Sequence, residues 1–174
     1  MALYHSSKTK RIALATFFGV IVYVSKIILP TPIDKMFLVV QALLFALSSL
    51  LLGRMGATYT ATVEGLITSI WRIGFFPFTL IFSVAYGLII DGSFYITNVR
   101  MLDGSVKPGR LVASLSMSTA TIGFVSMYVT VLLGLMPWVP ILYLVIIILN
   151  IVNGSVAGYL TLVIWRKYLF HMRG

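Results

Sequence analysis

The sequence predicts an all-α, polytopic membrane protein with six transmembrane helices and with both the N- and C-termini in the cytoplasm. Of its 174 residues, 60% are hydrophobic and only 10% are charged, whereas about a quarter of an ordinary soluble domain is charged. Its mean hydropathy is +1.05. So few charged side chains cannot cover a soluble fold of this size, and we therefore expect lipid to surround most of the chain.

The N-terminal half contains four apolar runs that end at charged or helix-breaking residues. A membrane-spanning helix needs about 20 mostly apolar residues. The first run carries only Lys26 and stops at Pro30, because proline cannot continue a helix. The second run ends at Arg54, and the third and fourth contain only Glu64 and Asp91 as charged residues. Each run predicts one helix.

The C-terminal half contains 55 consecutive residues without a formal charge, from Leu111 to Trp165. This length suits two spanning helices, and the prolines Pro137 and Pro140 divide it. The chain is therefore predicted to form a single transmembrane domain over residues 1–174, with helices at about 11–29, 36–53, 55–72, 74–97, 110–133 and 139–165.

The distribution of basic residues predicts the orientation. With the N-terminus inside, ten lysines and arginines fall on the cytoplasmic side, and Lys26, Lys35 and Arg72 fall outside. The net charge of +9 is explained by this topology and by attraction to anionic membrane lipid, and it requires no nucleic acid. We therefore expect a multi-pass protein of the cell membrane.

The residues that catalysis requires are scarce. There is no cysteine, and both histidines, His5 and His171, lie in the terminal tails. The motifs for phosphate binding, dinucleotide binding, zinc proteases and serine hydrolases are missing from the sequence. We therefore expect no enzyme, no cofactor and no metal site, and any active transport must draw its energy from an ion gradient or from partner subunits.

Glu64 is the most informative single residue. It lies near the middle of the third predicted helix, where a charged side chain costs about 2.5–3.5 kcal/mol on insertion scales. Helical spacing places small, polar and aromatic side chains around it, which indicates a wall of a polar cavity. The alternative is a structural hydrogen bond to a neighbouring helix.

Asp91 is followed by Gly92 and Ser93, and this turn-like sequence favours a position at the cytoplasmic end of the fourth helix.

Neutral polar side chains recur on the later helices. Asn150 and Asn153 lie on one face of the sixth helix, and the fourth and fifth helices carry several serines, threonines and tyrosines, including Tyr128. Such a lining suits a small polar organic molecule better than a bare ion, although hydrogen bonding between helices also explains it.

Arg72 follows Trp71 and precedes an aromatic cluster. It either anchors the helix at the interface or binds an anionic or planar ligand.

Several segments resemble a known family, the substrate-binding S components of energy-coupling factor (ECF) vitamin transporters. The first helix begins directly after a basic start and carries small residues four apart, Ala15 and Gly19. The other similar segments are the Pro30-Thr-Pro32 loop, the turn at 52–57 (LGRMGA), the segment 76–78 (FPF) and the segment 86–92 (YGLIIDG).

The resemblance implies that the chain captures a vitamin-like molecule from outside and docks on a transmembrane T subunit driven by two ATPase subunits. It also implies that Ala15 and Gly19 form the docking surface, although the family usually has alanine at both positions. The family's ligand site lies in the outer half, which here brings in Pro32 besides the residues below. Two carboxylates beside aromatic residues suggest a cationic heteroaromatic ligand such as thiamine or its pyrimidine precursor. From the residues and the resemblance together, the predicted substrate-binding residues are Glu64, Trp71, Arg72, Phe75, Tyr128, Asn150 and Asn153.

Two other functions remain open from the sequence. One is a self-sufficient secondary carrier or proton-coupled channel that uses Glu64 as its proton or ion site. The other is a membrane scaffold protein whose stripes of small residues bind other helices.

Overall fold

The computed structural model describes residues 8–28, 38–71, 73–100, 105–134 and 137–169. It confirms an all-α fold, because these residues form six α-helices in the predicted order. A 3₁₀ turn (Ile73–Phe75) precedes α4, and a π-helical turn (Trp165–Leu169) follows α6. The helices are α1 (Lys8–Ile28), α2 (Leu38–Leu52), α3 (Gly56–Trp71), α4 (Phe78–Ile96), α5 (Pro108–Leu132) and α6 (Pro140–Ile164).

Local sequence explains where the helices begin and end. Gly53 and Met55 adopt positive φ angles of 86° and 68° between α2 and α3, so the chain reverses within three residues. Pro108 and Pro140 occupy the first turns of α5 and α6, where the missing N–H of proline leaves no hydrogen bond broken. The fourth helix begins at Phe78, later than the predicted residue 74, because the intervening residues form the separate 3₁₀ turn and end at Pro77.

Four helices have the length and hydropathy of membrane-crossing segments. They are the segments Thr9–Ile28, Phe78–Ile96, Pro108–Leu132 and Pro140–Tyr168. The helix α2 is apolar but has 15 residues, and α3 has 16, so they extend over about 22–24 Å, less than the roughly 30 Å of hydrocarbon. The chain is therefore built as a membrane-embedded helical protein, while six crossings and cytoplasmic termini stay predictions.

The helix α2 lies at the centre of the bundle. Ten of its 15 residues are buried, and it packs against α1, α3 and α6. The outer helices also pack in pairs, α3 on α4 and α5 on α6. Small residues bring these pairs into close contact: a Cβ on Gly87 would lie 2.7 Å from Ala61 Cβ, and one on Gly158 would lie 2.9 Å from Val112 Cα. Stripes of small residues that the sequence displays are thus used for packing within the chain.

One end of the bundle, where α1 begins, is held together by arginine and aspartate side chains; we call it the arginine-rich end. Arg11 donates to the carbonyl oxygen of Leu52, and Arg100 Nη2 donates to that of Ser49 at 2.9 Å. These bonds satisfy carbonyls at the C-terminus of α2, where cations are favoured. Asp91 accepts hydrogen bonds from the Thr58 N–H (2.8 Å) and hydroxyl (2.7 Å) at the start of α3. Asp91 therefore caps a neighbouring helix, in agreement with its expected position at the end of α4.

Candidate functional site

A cavity of about 500 Å³ lies at the opposite end of the bundle, where α1 and α5 end and where α2, α4 and α6 begin. This volume is within the range of small-molecule sites, which are mostly apolar with a few placed polar groups. Nine of the sixteen described residues that line it are apolar or glycine. The polar lining residues are Lys26, Gln41, Thr79, Ser83, Tyr86, Ser126 and Asn150.

Glu64 lies directly behind the wall of this cavity. Its side chain is 0% exposed and forms an ion pair with Lys26, whose Nζ is 2.7 Å from Glu64 Oε1. Thr68 Oγ1 donates to the same oxygen at 2.8 Å, and Ser83 Oγ donates to Oε2. Both carboxylate oxygens therefore have hydrogen-bond partners, and two of these partners, Lys26 and Ser83, line the cavity. The hydrogen bonds and the ion pair compensate the burial of its charge.

Sequence reasoning missed Lys26 as the partner of Glu64. The orientation that the sequence predicts places Lys26 among the three basic residues outside the membrane, without a partner named for it. The signal that could have found it is that Lys26 and Glu64 are the only charges in the first and third apolar runs. A charge inside the membrane region usually has a partner.

Asn150 lies in the deepest part of the cavity. Its side chain is 4% exposed, and no hydrogen-bond donor among the described residues reaches its Oδ1. It faces Gly123 on α5, where any Cβ would overlap the Asn150 amide. Nearby, the Tyr86 hydroxyl is hydrogen bonded to Thr119 Oγ1 at 2.8 Å. Asn150 is therefore on the cavity wall, and its role in binding stays a prediction.

The other predicted binding residues have different positions. Asn153 is buried next to the cavity but is not part of its lining, and no acceptor among the described residues reaches its Nδ2. Trp71 is 65% exposed on the outer surface of α3, away from the lining. Tyr128 is 45% exposed and stacks on Phe124, with ring centroids 6.4 Å apart. Arg72, Pro32 and the Phe75 side chain lie outside the described part of the structure.

Ala15 and Gly19, the predicted docking residues, face the inside of the bundle. Ala15 is 3% exposed, and a Cβ on Gly19 would lie 3.0 Å from Val63 Cγ1 and 3.1 Å from the Thr60 carbonyl oxygen. Gly19 therefore packs α1 against α3, and Ala15 is buried within the bundle. Their role in docking stays a prediction.

The fold and the cavity together describe a membrane-embedded helical protein whose described residues form a ligand-sized chamber at the end opposite the arginine-rich end. Within the described ranges, no group of three or more histidines, aspartates and glutamates could hold a metal ion. The chain matches no protein-family model, no curated protein and no solved structure. Its function must therefore be argued from the chamber itself.

Proposed function

We propose that this protein is the substrate-capture subunit of an importer of the ECF type. It lies in the cell membrane as a multi-pass protein, binds a small vitamin-like molecule from outside and docks on a T subunit with two ATPase subunits. The observation that carries the proposal is the cavity of about 500 Å³ at the end of the bundle that the positive-inside rule assigns to the outside. The sequence resemblance supplies the transporter type and the partners.

The chemistry of the cavity supports capture of an organic molecule. Its polar groups come from five different helices and are separated by apolar walls, which is the pattern of a site that orients a small molecule. No donor of the described residues reaches the Oδ1 of Asn150 in this lining, and a buried acceptor without a donor is costly unless a ligand or water bonds to it. A bare ion would instead require several converging oxygen ligands.

Binding by the isolated chain tests the proposal. Purified protein in detergent is screened by thermal shift against vitamins and their precursors, without nucleotide. A ligand at one hundred times its dissociation constant stabilises the fold by about 2.7 kcal/mol, so one compound should raise the melting temperature. Absence of any shift in well-folded protein would refute capture by this cavity.

Two variants on one helix separate cavity binding from surface binding. Ile146 lines the cavity, whereas Ile148 is 60% exposed on the outside of α6. We expect Ile146→Trp to fill part of the cavity and abolish the shift, and we expect the matched Ile148→Trp variant to retain it. Loss of binding in both variants would contradict the assignment of the ligand to the cavity.

The second candidate function is a secondary carrier that uses Glu64, and the buried Lys26–Glu64 ion pair favours it. The two functions differ in vesicles that contain this protein alone. A carrier accumulates the identified ligand when an ion gradient is imposed and loses this activity in Glu64→Gln. A capture subunit binds the ligand but does not accumulate it without its partner subunits.

A further inference from the structure

The cavity presents a positive charge to its ligand. Lys26 is the single charged residue among the described residues that line it, and its side chain is 21% exposed. Its partner Glu64 is 0% exposed and lies outside the lining. The ion pair is thus oriented with its cationic end at the cavity surface and its anionic end behind the wall.

The carboxylate of Glu64 is poorly placed to bind a cation. Its Oε1 accepts from Lys26 and Thr68, and its Oε2 accepts from Ser83. The other carboxylate that suggested a cationic ligand, Asp91, caps α3 at the arginine-rich end. A cation in the cavity would meet the like charge of Lys26, and none of the described lining residues is a carboxylate that could offset it.

The part of the cavity at Asn150 favours a ligand that donates a hydrogen bond. Asn150 Oδ1 is buried and can only accept, and no described donor reaches it. Gly123 leaves room for the amide, since any side chain there would overlap it. A ligand that presents an N–H or O–H group at this point would satisfy the acceptor.

We infer that the ligand is a small amphipathic carboxylic acid whose carboxylate binds Lys26 and whose N–H or O–H group binds Asn150. Most of the other described lining residues are apolar, with Phe82, Ile122 and Leu149 among them, so we expect most of the ligand's surface to be apolar as well. This inference rests on the proposed function and adds the charge and polarity of the substrate.

The test compares acids with their own amides. The panel pairs biotin with biotinamide, nicotinate with nicotinamide and lipoate with lipoamide, and it includes thiamine and pyridoxamine as cations. Affinities for the full chain in detergent are measured by calorimetry at pH 7. We expect at least one acid to bind about 10–100-fold more tightly than its amide, the range that a charge-assisted hydrogen bond provides, and we expect the cations not to bind.

Two variants assign the effect to Lys26 and Asn150. The double variant Lys26→Met/Glu64→Gln removes both charges without leaving an unpaired carboxylate, and it should lose the preference for the acid over the amide. Asn150→Leu should weaken the binding of acid and amide alike about 5–10-fold, because both lose the same hydrogen bond. If the double variant does not fold, the comparison of acid and amide on the natural chain decides by itself.

The outcomes separate this inference from the proposed function. Tighter binding of a cation than of any acid, or equal binding of an acid and its amide, overturns the inference and leaves substrate capture intact. A double variant that still prefers the acid also overturns it. If no acid, amide, cation or other compound of the wider vitamin panel binds, the proposed function itself is overturned.

Discussion

Replacing Lys26 by methionine removes the counter-ion of a carboxylate that solvent does not reach. Glu64 is 0% exposed, and Lys26 lies 2.7 Å from its Oε1. Removing one partner of a buried ion pair costs about 3–5 kcal/mol. We expect a loss near the lower end, about 3 kcal/mol, because Thr68 and Ser83 continue to donate to the carboxylate.

Adding Glu64→Gln to Lys26→Met should restore part of this loss. The double variant buries a neutral amide in place of an unpaired charge, so we expect its free energy of unfolding to fall by only about 1–2 kcal/mol. The two substitutions are therefore strongly non-additive, as expected for residues in direct contact. This sign, in which the second substitution offsets part of the loss from the first, is expected for a buried ion pair.

The assay is denaturant unfolding of the purified protein in detergent, followed by helical circular dichroism. Lys10→Met is the matched control, because Lys10 is an exposed lysine on the same helix, and we expect a change within about 0.5 kcal/mol. The reasoning is refuted if Lys26→Met costs no more than Lys10→Met, or if the double variant is less stable than Lys26→Met alone.

Three further positions test helix packing, capping and the cavity, each through the melting temperature without ligand. In Gly87→Val the new Cβ lies 2.7 Å from Ala61 Cβ, so we expect the free energy of unfolding to fall by about 1–3 kcal/mol. As a control, the new Cβ of Gly92→Ala meets nothing within 4 Å, and we expect the free energy of unfolding to rise by about 0.4–1 kcal/mol. Equal effects of the two substitutions would contradict the packing of α4 on α3. Asp91→Ala removes the cap of α3 and should lower the free energy of unfolding by about 0.5–2 kcal/mol. A smaller loss of stability is expected for Asp91→Asn. An unchanged melting temperature in Asp91→Ala would rule out the cap. Asn150→Leu removes a buried acceptor that no described donor reaches, so it should raise the stability of the ligand-free protein by about 1 kcal/mol. A large loss of stability would mean that the Asn150 side chain is hydrogen bonded within the bundle.

The helices follow closely from the sequence because charges and prolines mark their ends. Pro140 begins α6 within one residue of the predicted start, and α3 lies inside the predicted segment 55–72. The first helix already begins at Lys8 rather than near residue 11, because basic residues at its start are compatible with helical structure although they interrupt the apolar pattern. Local signals of this kind are contained within a few neighbouring residues.

The site was only partly predictable because it depends on contacts between distant helices. Glu64 and Asn150 stand out in the sequence as polar residues in apolar runs, and both are found at or directly behind the cavity wall. The pairing of Lys26 with Glu64 requires the relative rotation and depth of α1 and α3, which no local pattern encodes. The family resemblance points to Trp71 and Tyr128 in the outer half, but the rotation of their helices leaves them 65% and 45% exposed.

The enclosure of α2 also determines when the bundle can close. The polar residues of α2, including Gln41, Ser48 and Ser49, are buried, and α6 covers part of this helix. The segment that forms α6 is synthesised about 90 residues after α2. Part of the central helix α2 therefore stays uncovered in the nascent protein until the sixth helix has been synthesised. We therefore expect a chain that stops before Pro140 to leave part of α2 uncovered and to be less stable than the full chain.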